Sequence, residues 1–256
     1  MKKCVFCQKS PPEVKITKEH ILRKAIKKLL PVDDATFRWS QRMNTGTSQL
    51  TAWRVRHFPT GPFDQTINRV CKQCNEGWLA TDVEQVAEEY LFPLIKGEWL
   101  PIDRKGAWVL SMWAAKTAAI SALREPLPCA ASQAQFTWLM EQLCPDGLTH
   151  VWMGKCDDHP VTWLRQISYH EGDLSAEKAY GSTVVIGQVV FFTHRFSTSW
   201  MAAHLEPLIN TLENYSILRI WPPRKETRLL QLPVLPKEII VHLSSGIWQN
   251  EIIRET

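Results

Sequence analysis

Cys4 and Cys7, then Cys71 and Cys74, form two Cys-x-x-Cys pairs, and the acidic–imidazole dipeptide Glu19-His20 lies between them. The second pair runs directly into Asn75. Two-residue spacing lets both sulfurs of a knuckle face one ion, and four thiolates close a tetrahedral Zn2+ site with bonds of about 2.3 Å. A rubredoxin-like iron site and a redox thiol pair are the competing readings of the same spacing. A closed site has no open coordination position, so its zinc is structural and any chemistry needs a second centre. His20, with an ordinary pKa of about 6.5, is able to take a proton from water at neutral pH. Charge relief at a scissile phosphate usually comes from a divalent cation, and the oxygens of Glu19 and Asn75 suit Mg2+ or Mn2+. Singly, His20 reads as a capping or core histidine and Asn75 as a helix N-cap. Sharing one metal-closed unit gives them joint weight as a phosphodiester-cutting set.

The elements that must carry these residues are short. Val14-Lys15-Ile16-Thr17 alternates like a strand, with His20 just beyond it. Residues 21–30 have helical spacing, and Pro31 is expected to stop them. From Asn75 a helix is expected through Trp78, Leu79, Val83, Val86, Ala87, Tyr90 and Leu91, ending at Pro93. Trp78 reads as its packing anchor. Residues 31–66 show little periodicity and mix rings with cations: Phe37, Arg38, Trp39, Arg42, Trp53, Arg54, Arg56, His57 and Phe58. That loop-rich insertion reads either as a satellite core or as a surface that tracks a nucleic-acid strand.

Residues 106–123 predict a helix apolar almost all round, Trp108 and Val109 included, and hence buried. An amphipathic helix is expected over 132–143 with Ser132 as cap. Strand-like runs follow at 150–153, 162–168, 182–193 and 217–221, with a helix around 199–214. The fold class expected is α+β, with a mainly antiparallel sheet and two domains, 1–98 and 99–256.

Composition narrows the function classes. The 256 residues are 45% hydrophobic and 22% charged, which indicates a globular chain. No run of eighteen apolar residues lacks a charge, so no membrane span is expected. No apolar run follows Met1-Lys2-Lys3-Cys4, so no secretory leader is expected and a cytoplasmic, reducing compartment is. Seven cysteines disfavour a full disulfide framework, and Cys129, Cys144 and Cys156 read as ordinary buried or half-buried residues. Residues 1–75 carry 15 Lys and Arg against 5 Asp and Glu, whereas the rest carry 15 against 21. The basic third points to a polyanion partner, and the acidic remainder to a protein partner. His150, His159, His170, His194, His204 and His242 are not spaced as a metal set.

Three segments resemble the HNH endonuclease family: Cys4-x-x-Cys7, Thr17-Lys18-Glu19-His20-Ile21, and Val70-Cys71-Lys72-Gln73-Cys74-Asn75-Glu76-Gly77-Trp78-Leu79. The string Cys-Asn-x-Gly-Trp looks like a bacterial subgroup with a zinc-knotted unit and a Trp-rich C-terminal region. Arg219-Ile220-Trp221-Pro222-Pro223 looks like that region far less specifically. The resemblance covers about residues 1–95. It implies a ββα-metal (HNH) hairpin-and-helix fold around one catalytic metal, followed by a Trp-rich α+β domain. It also implies His20 as general base, with Glu19 and Asn75 holding the metal. The family's middle Asn would fall at Thr66, and Asn68 is the nearest amide. The stretch from His20 to Cys71 is longer than a minimal hairpin, and Glu19 stands where Asp is commoner.

The expectation is therefore a DNA endonuclease, with the choice between DNA and RNA left open by the sequence, using Mg2+ or Mn2+ beside a Cys4 zinc and serving in restriction or antiphage defence. Lys18, Arg23, Lys24, Arg54, Arg56, Arg69 and Lys72 are its expected phosphate contacts. The alternatives are a non-catalytic zinc-knuckle nucleic-acid-binding or adaptor protein, and a thiol redox module.

Overall fold

The computed structural model describes residues 2–30, 40–43, 54–57, 62–99, 101–124, 131–157, 163–169, 179–196, 217–223 and 232–245. Strand β1 (Ile16–His20) pairs antiparallel with β4 (Thr66–Cys71) in a two-stranded sheet. His20 is thus the last residue of its strand rather than a residue beyond it. Of the helix expected over 21–30, the single turn α1 (Lys24–Lys27) forms. Pro31 lies outside the described residues, as do Cys129, His159, His170, His204 and the helix expected over 199–214.

After β4 the chain turns at once into helix: α2 (Lys72–Cys74), the wide-turned π-helical segment Asn75–Gln85, and α3 (Val86–Ile95). Gly77 (φ −91°, ψ −121°) departs from helical geometry inside the wide segment. Pro93 does not end the helix, which runs on to Ile95. A proline withholds only its own N–H from the ladder, and its carbonyl still accepts from Glu98 N–H at 2.9 Å.

α4 (Arg104–Ala122) starts where Asp103 accepts from Gly106 N–H at 2.7 Å, and it is buried along nearly all its length. Trp108 departs from expectation: it is 47% exposed, with its indole N–H bonded to Leu143 O. α5 (Gln133–Gln142) has the expected cap, Ser132 accepting from Gln135 N–H, and closes at a left-handed Leu143 (φ 50°).

The larger sheet is built of β2 (Ser40–Met43), β3 (Arg54–His57), β5 (Thr149–Cys156), β6 (Trp163–Tyr169), β7 (Ala179–Ile186), β8 (Val189–Arg195), β9 (Leu218–Trp221) and β10 (Val234–Leu235). Its order is β10-β5-β8-β7-β6-β2-β3, with β9 also on β5. α6 (Lys237–Ser245) follows. Pairing is antiparallel except for β2 with β6 and β10 with β5.

In the sheet, two further findings differ from the sequence reading. The insertion contributes the β2–β3 hairpin to this sheet, and its flanking Phe37, Trp39, Trp53 and Phe58 lie outside the described residues. The run over 182–193 is two strands, turned at Gly187 and Gln188 so that Ile186 pairs with Val189. Gly187 (φ 54°) supplies the positive φ that such a two-residue turn needs.

Alternation sorts the sheet into two faces. Val151, Met153, Tyr180, Val184, Val189 and Phe191 join the core around α4, which also holds Cys4, Phe6, Val70 and Leu79. Trp152, Cys156, Val185, Val190 and Phe192 form a second cluster with Ile240 and Leu243 of α6. One apolar cluster therefore spans residue 98, and α4 lies against both the hairpin's helices and the sheet. Among the described residues no helix is long and apolar enough to cross a membrane.

Candidate metal centre and the adjoining site

The knot is built from the hairpin outward. Val5 N–H donates to Arg69 O at 2.9 Å, which lays the first knuckle along β4. Gln133 of α5 clamps it from outside, its Nε2 donating to Val5 O at 2.7 Å. Phe6 fills the space behind, edge-on to Trp78 at 5.0 Å and to Phe136 at 5.4 Å, so Trp78 packs the knuckle.

The four sulfurs lie within 4.8 Å of one another, and Cys7 Sγ is 3.7 Å from Cys71 Sγ. Zinc–sulfur bonds of about 2.3 Å in a tetrahedron set sulfur–sulfur edges of about 3.8 Å, so the cluster has the size of a closed zinc site. Backbone donors also point at sulfur: Cys71 N–H toward Cys4 Sγ at 3.4 Å and Cys74 N–H toward Cys71 Sγ at 3.5 Å. The hydrogen bond from the Cys74 thiol, with the backbone amides of Cys71, Cys7 and Phe6, outweighs burial and holds Cys4 down to about 4. Among the described residues this is the one group of histidine, cysteine or carboxylate side chains that could hold a metal ion. Of the single cysteines, Cys156 is buried and Cys144 half-buried.

The β1–β4 register carries the other residues. Glu19 faces Ile67 and His20 faces Thr66, while Thr17 faces Val70. The one-residue shift leaves Asn68 and Arg69 together opposite Lys18, a bulge on β4. Asn68 is exposed there, and it is Thr66 that stands across from His20.

Asn75 is tied to β1: its Nδ2 donates to Thr17 Oγ1 and to Lys18 O, each at 3.2 Å. Its Oδ1 accepts no hydrogen bond among the described residues. His20 is half-buried at the strand end, and burial, then the Lys24 charge, lowers its pKa below 6.5. It is therefore mainly neutral at pH 7, able to accept a proton.

Glu19 goes elsewhere. Neighbouring residues of a strand point to opposite faces, and Glu19 turns inward, 4% exposed, where His20 turns out. Its Oε1 is 3.7 Å from Lys116 Nζ of α4. Lys116, fully buried, bonds Glu84 Oε1 at 2.7 Å, and Arg23 reaches Glu84 at 3.8 Å and Glu88 at 2.6 Å. Burial pushes the Glu19 carboxyl up to about 7, against the pull of Lys116. Burial alone would lower Lys116, but Glu84 and then Glu19 outweigh it and hold the ammonium above its ordinary value. The structure thus sets the four cysteines beside the start of β1, where Ile16 faces Cys71, ties Asn75 to the middle of that strand, leaves His20 at its far end across from Thr66, and sends Glu19 into an ion cluster beneath it.

Lys116, Glu84 and the partners of Arg23 were not singled out in the sequence. The signal was present, because a lysine in an otherwise apolar helix must find a carboxylate or give up its charge. Of the expected phosphate contacts, Lys18, Lys24 and Lys72 are exposed, and Lys72 pairs with Glu76 at 3.6 Å. The side chains of Arg54 and Arg56 lie outside the described residues. Comparisons of the chain with protein-family models, curated proteins and solved structures returned no match.

Proposed function

We propose that this chain is a phosphodiester hydrolase of the HNH type, acting on DNA or RNA, with a structural zinc in the four-cysteine site. The observation that carries the reading is the Asn75 amide bonded to Thr17 and Lys18 of the strand that ends in a neutral, half-buried His20, on a hairpin whose other end is gathered by four cysteines. In this reading His20 takes the proton from the attacking water. Asn75 locks the start of the helical segment to β1 through Lys18 O and holds its carbonyl oxygen toward the substrate side. Lys18, Lys24 and Lys72 supply exposed positive charge for the phosphate backbone.

A hard cation would add charge relief at the phosphate, and Asn75 Oδ1 is a donor that suits it. Glu19 does not fit that role here, because its carboxylate is buried against Lys116. The reading extends to a reducing cytoplasm, where zinc thiolates persist, to a protein partner on the acidic C-terminal portion, and to an effector role in restriction or antiphage defence.

The burial of Glu19 favours a second reading, a zinc-knuckle module that binds nucleic acid without cutting it. Plasmid nicking by wild type and His20→Ala, in Mg2+ and in Mn2+, separates the two. The hydrolase reading expects cleavage by wild type and a loss of about 10²-fold or more in the variant at equal zinc content. Retention of plasmid with no nicking in either ion supports the binding module.

A further inference from the structure

The cluster under the hairpin joins three elements that are far apart in sequence. Glu19 comes from β1, Glu84 from the π-helical segment and Lys116 from the middle of α4. The ammonium sits between both carboxylates with no exposure to solvent. Such a charge stays buried only if its partners hold it, and once held it fixes their positions. Glu19 is covalently next to His20 on a five-residue strand, so the anchoring of one carboxylate sets where the imidazole emerges.

Resting on the hydrolase reading, we infer that Lys116 is a positioning residue for His20, acting through Glu19, which serves as a buried anchor and not as a cation ligand. Three observations support this. Glu19 and His20 face opposite sides of β1, so one ion cannot readily take the carboxylate of one beside the imidazole of the other. Glu84 keeps the ammonium in place at 2.7 Å, and Arg23 balances Glu84 from the far side at 3.8 Å. Finally, α4 belongs to the same apolar cluster as the knot, so the anchor stands on packed structure rather than on a loop.

The test compares zinc-loaded wild type, Glu19→Gln, Lys116→Met and the double variant Lys116→Met/Glu84→Gln. The double variant removes one charge of each sign and keeps the fold testable if Lys116→Met alone fails to fold. Three readouts are taken: kcat and KM for plasmid nicking, binding of Mn2+ alone by electron paramagnetic resonance, and the imidazole signals of His20 in isotope-labelled protein. The expected result is a fall in kcat of about 10²-fold with KM little changed in each variant, unchanged Mn2+ affinity in all, and displaced His20 signals in all. Weakened Mn2+ binding in Glu19→Gln would overturn the inference by making Glu19 a ligand. Unmoved His20 signals in the folded Lys116 variants would overturn it as well, by making Lys116 merely structural. If wild type never nicks, the hydrolase reading fails, and the Mn2+ and His20 signals still decide the anchor.

Discussion

At the scale of single residues, burial decides what each ionisable group can do. His150 and His194 are cross-strand neighbours on β5 and β8, and both are nearly inaccessible. Burial, then the Arg219 charge, lowers His150 from 6.5 to about 4; burial, then His150, lowers His194 to about 3. Above 6.5 both rings are neutral in the folded and unfolded chains alike. As pH falls below 6.5 the unfolded chain takes up these protons first, so stability is lost down to the folded values near 4 and 3. His150 alone accounts for about 3 kcal/mol of that loss. His150→Phe keeps a ring beside Trp152 and Phe196. Urea unfolding of this variant between pH 7 and pH 4.5 is expected to show a visibly flatter dependence than wild type; an equal slope contradicts a neutral His150. The residue scale also explains what was legible. Cysteine spacing encodes a tetrahedral site directly, so the knot could be read from four positions. The opposite faces of Glu19 and His20 follow from strand alternation, but the alternation visible in the sequence stops at Thr17, short of both.

Among elements, one close fit is where the β7–β8 hairpin meets the end of α3. A Cβ on Gly187 would lie 2.3 Å from Ile95 O, and the backbone there has φ 54°. Gln188 N–H also donates to Ile95 O at 3.1 Å. Gly187→Ala therefore combines a left-handed alanine with a backbone clash, and is expected to cost at least about 2 kcal/mol. A urea midpoint within error of wild type would contradict this packing. The same turn shows why the sheet was only partly readable. Two residues within the run 182–193 reverse the chain, and the flanking residues are apolar on both sides, so the run looked continuous. β2 was missed for another reason: its parallel partner β6 begins more than a hundred residues later, and short-range periodicity carries no record of that pairing. Helices α4 and α5 were found because period and cap are local signals.

For the whole molecule, the knot, α4 and one sheet face share a core, so a metal bound by the four cysteines is expected to hold more than the hairpin. Structural zinc contributes folding free energy directly. Chelation, or Cys74→Ser, is expected to lower the thermal midpoint of the entire chain in one transition. Two separate transitions, with the sheet melting at its original temperature, would contradict that coupling. The charge asymmetry between residues 1–75 and the remainder was legible from composition. The dependence of the N-terminal site on Lys116, beyond the expected boundary at 98, was not, because it is a contact between segments and not a property of either.

The central claim is that a zinc-closed hairpin presents His20 to a phosphodiester. Its most direct test is plasmid nicking by wild type and His20→Ala in Mg2+ or Mn2+, with bound zinc measured on the same samples. One zinc per chain is expected in both proteins, with nicking by wild type and its loss in the variant. Nicking that survives His20→Ala at full zinc content, or a wild type that carries zinc and binds DNA yet never cuts, would contradict it.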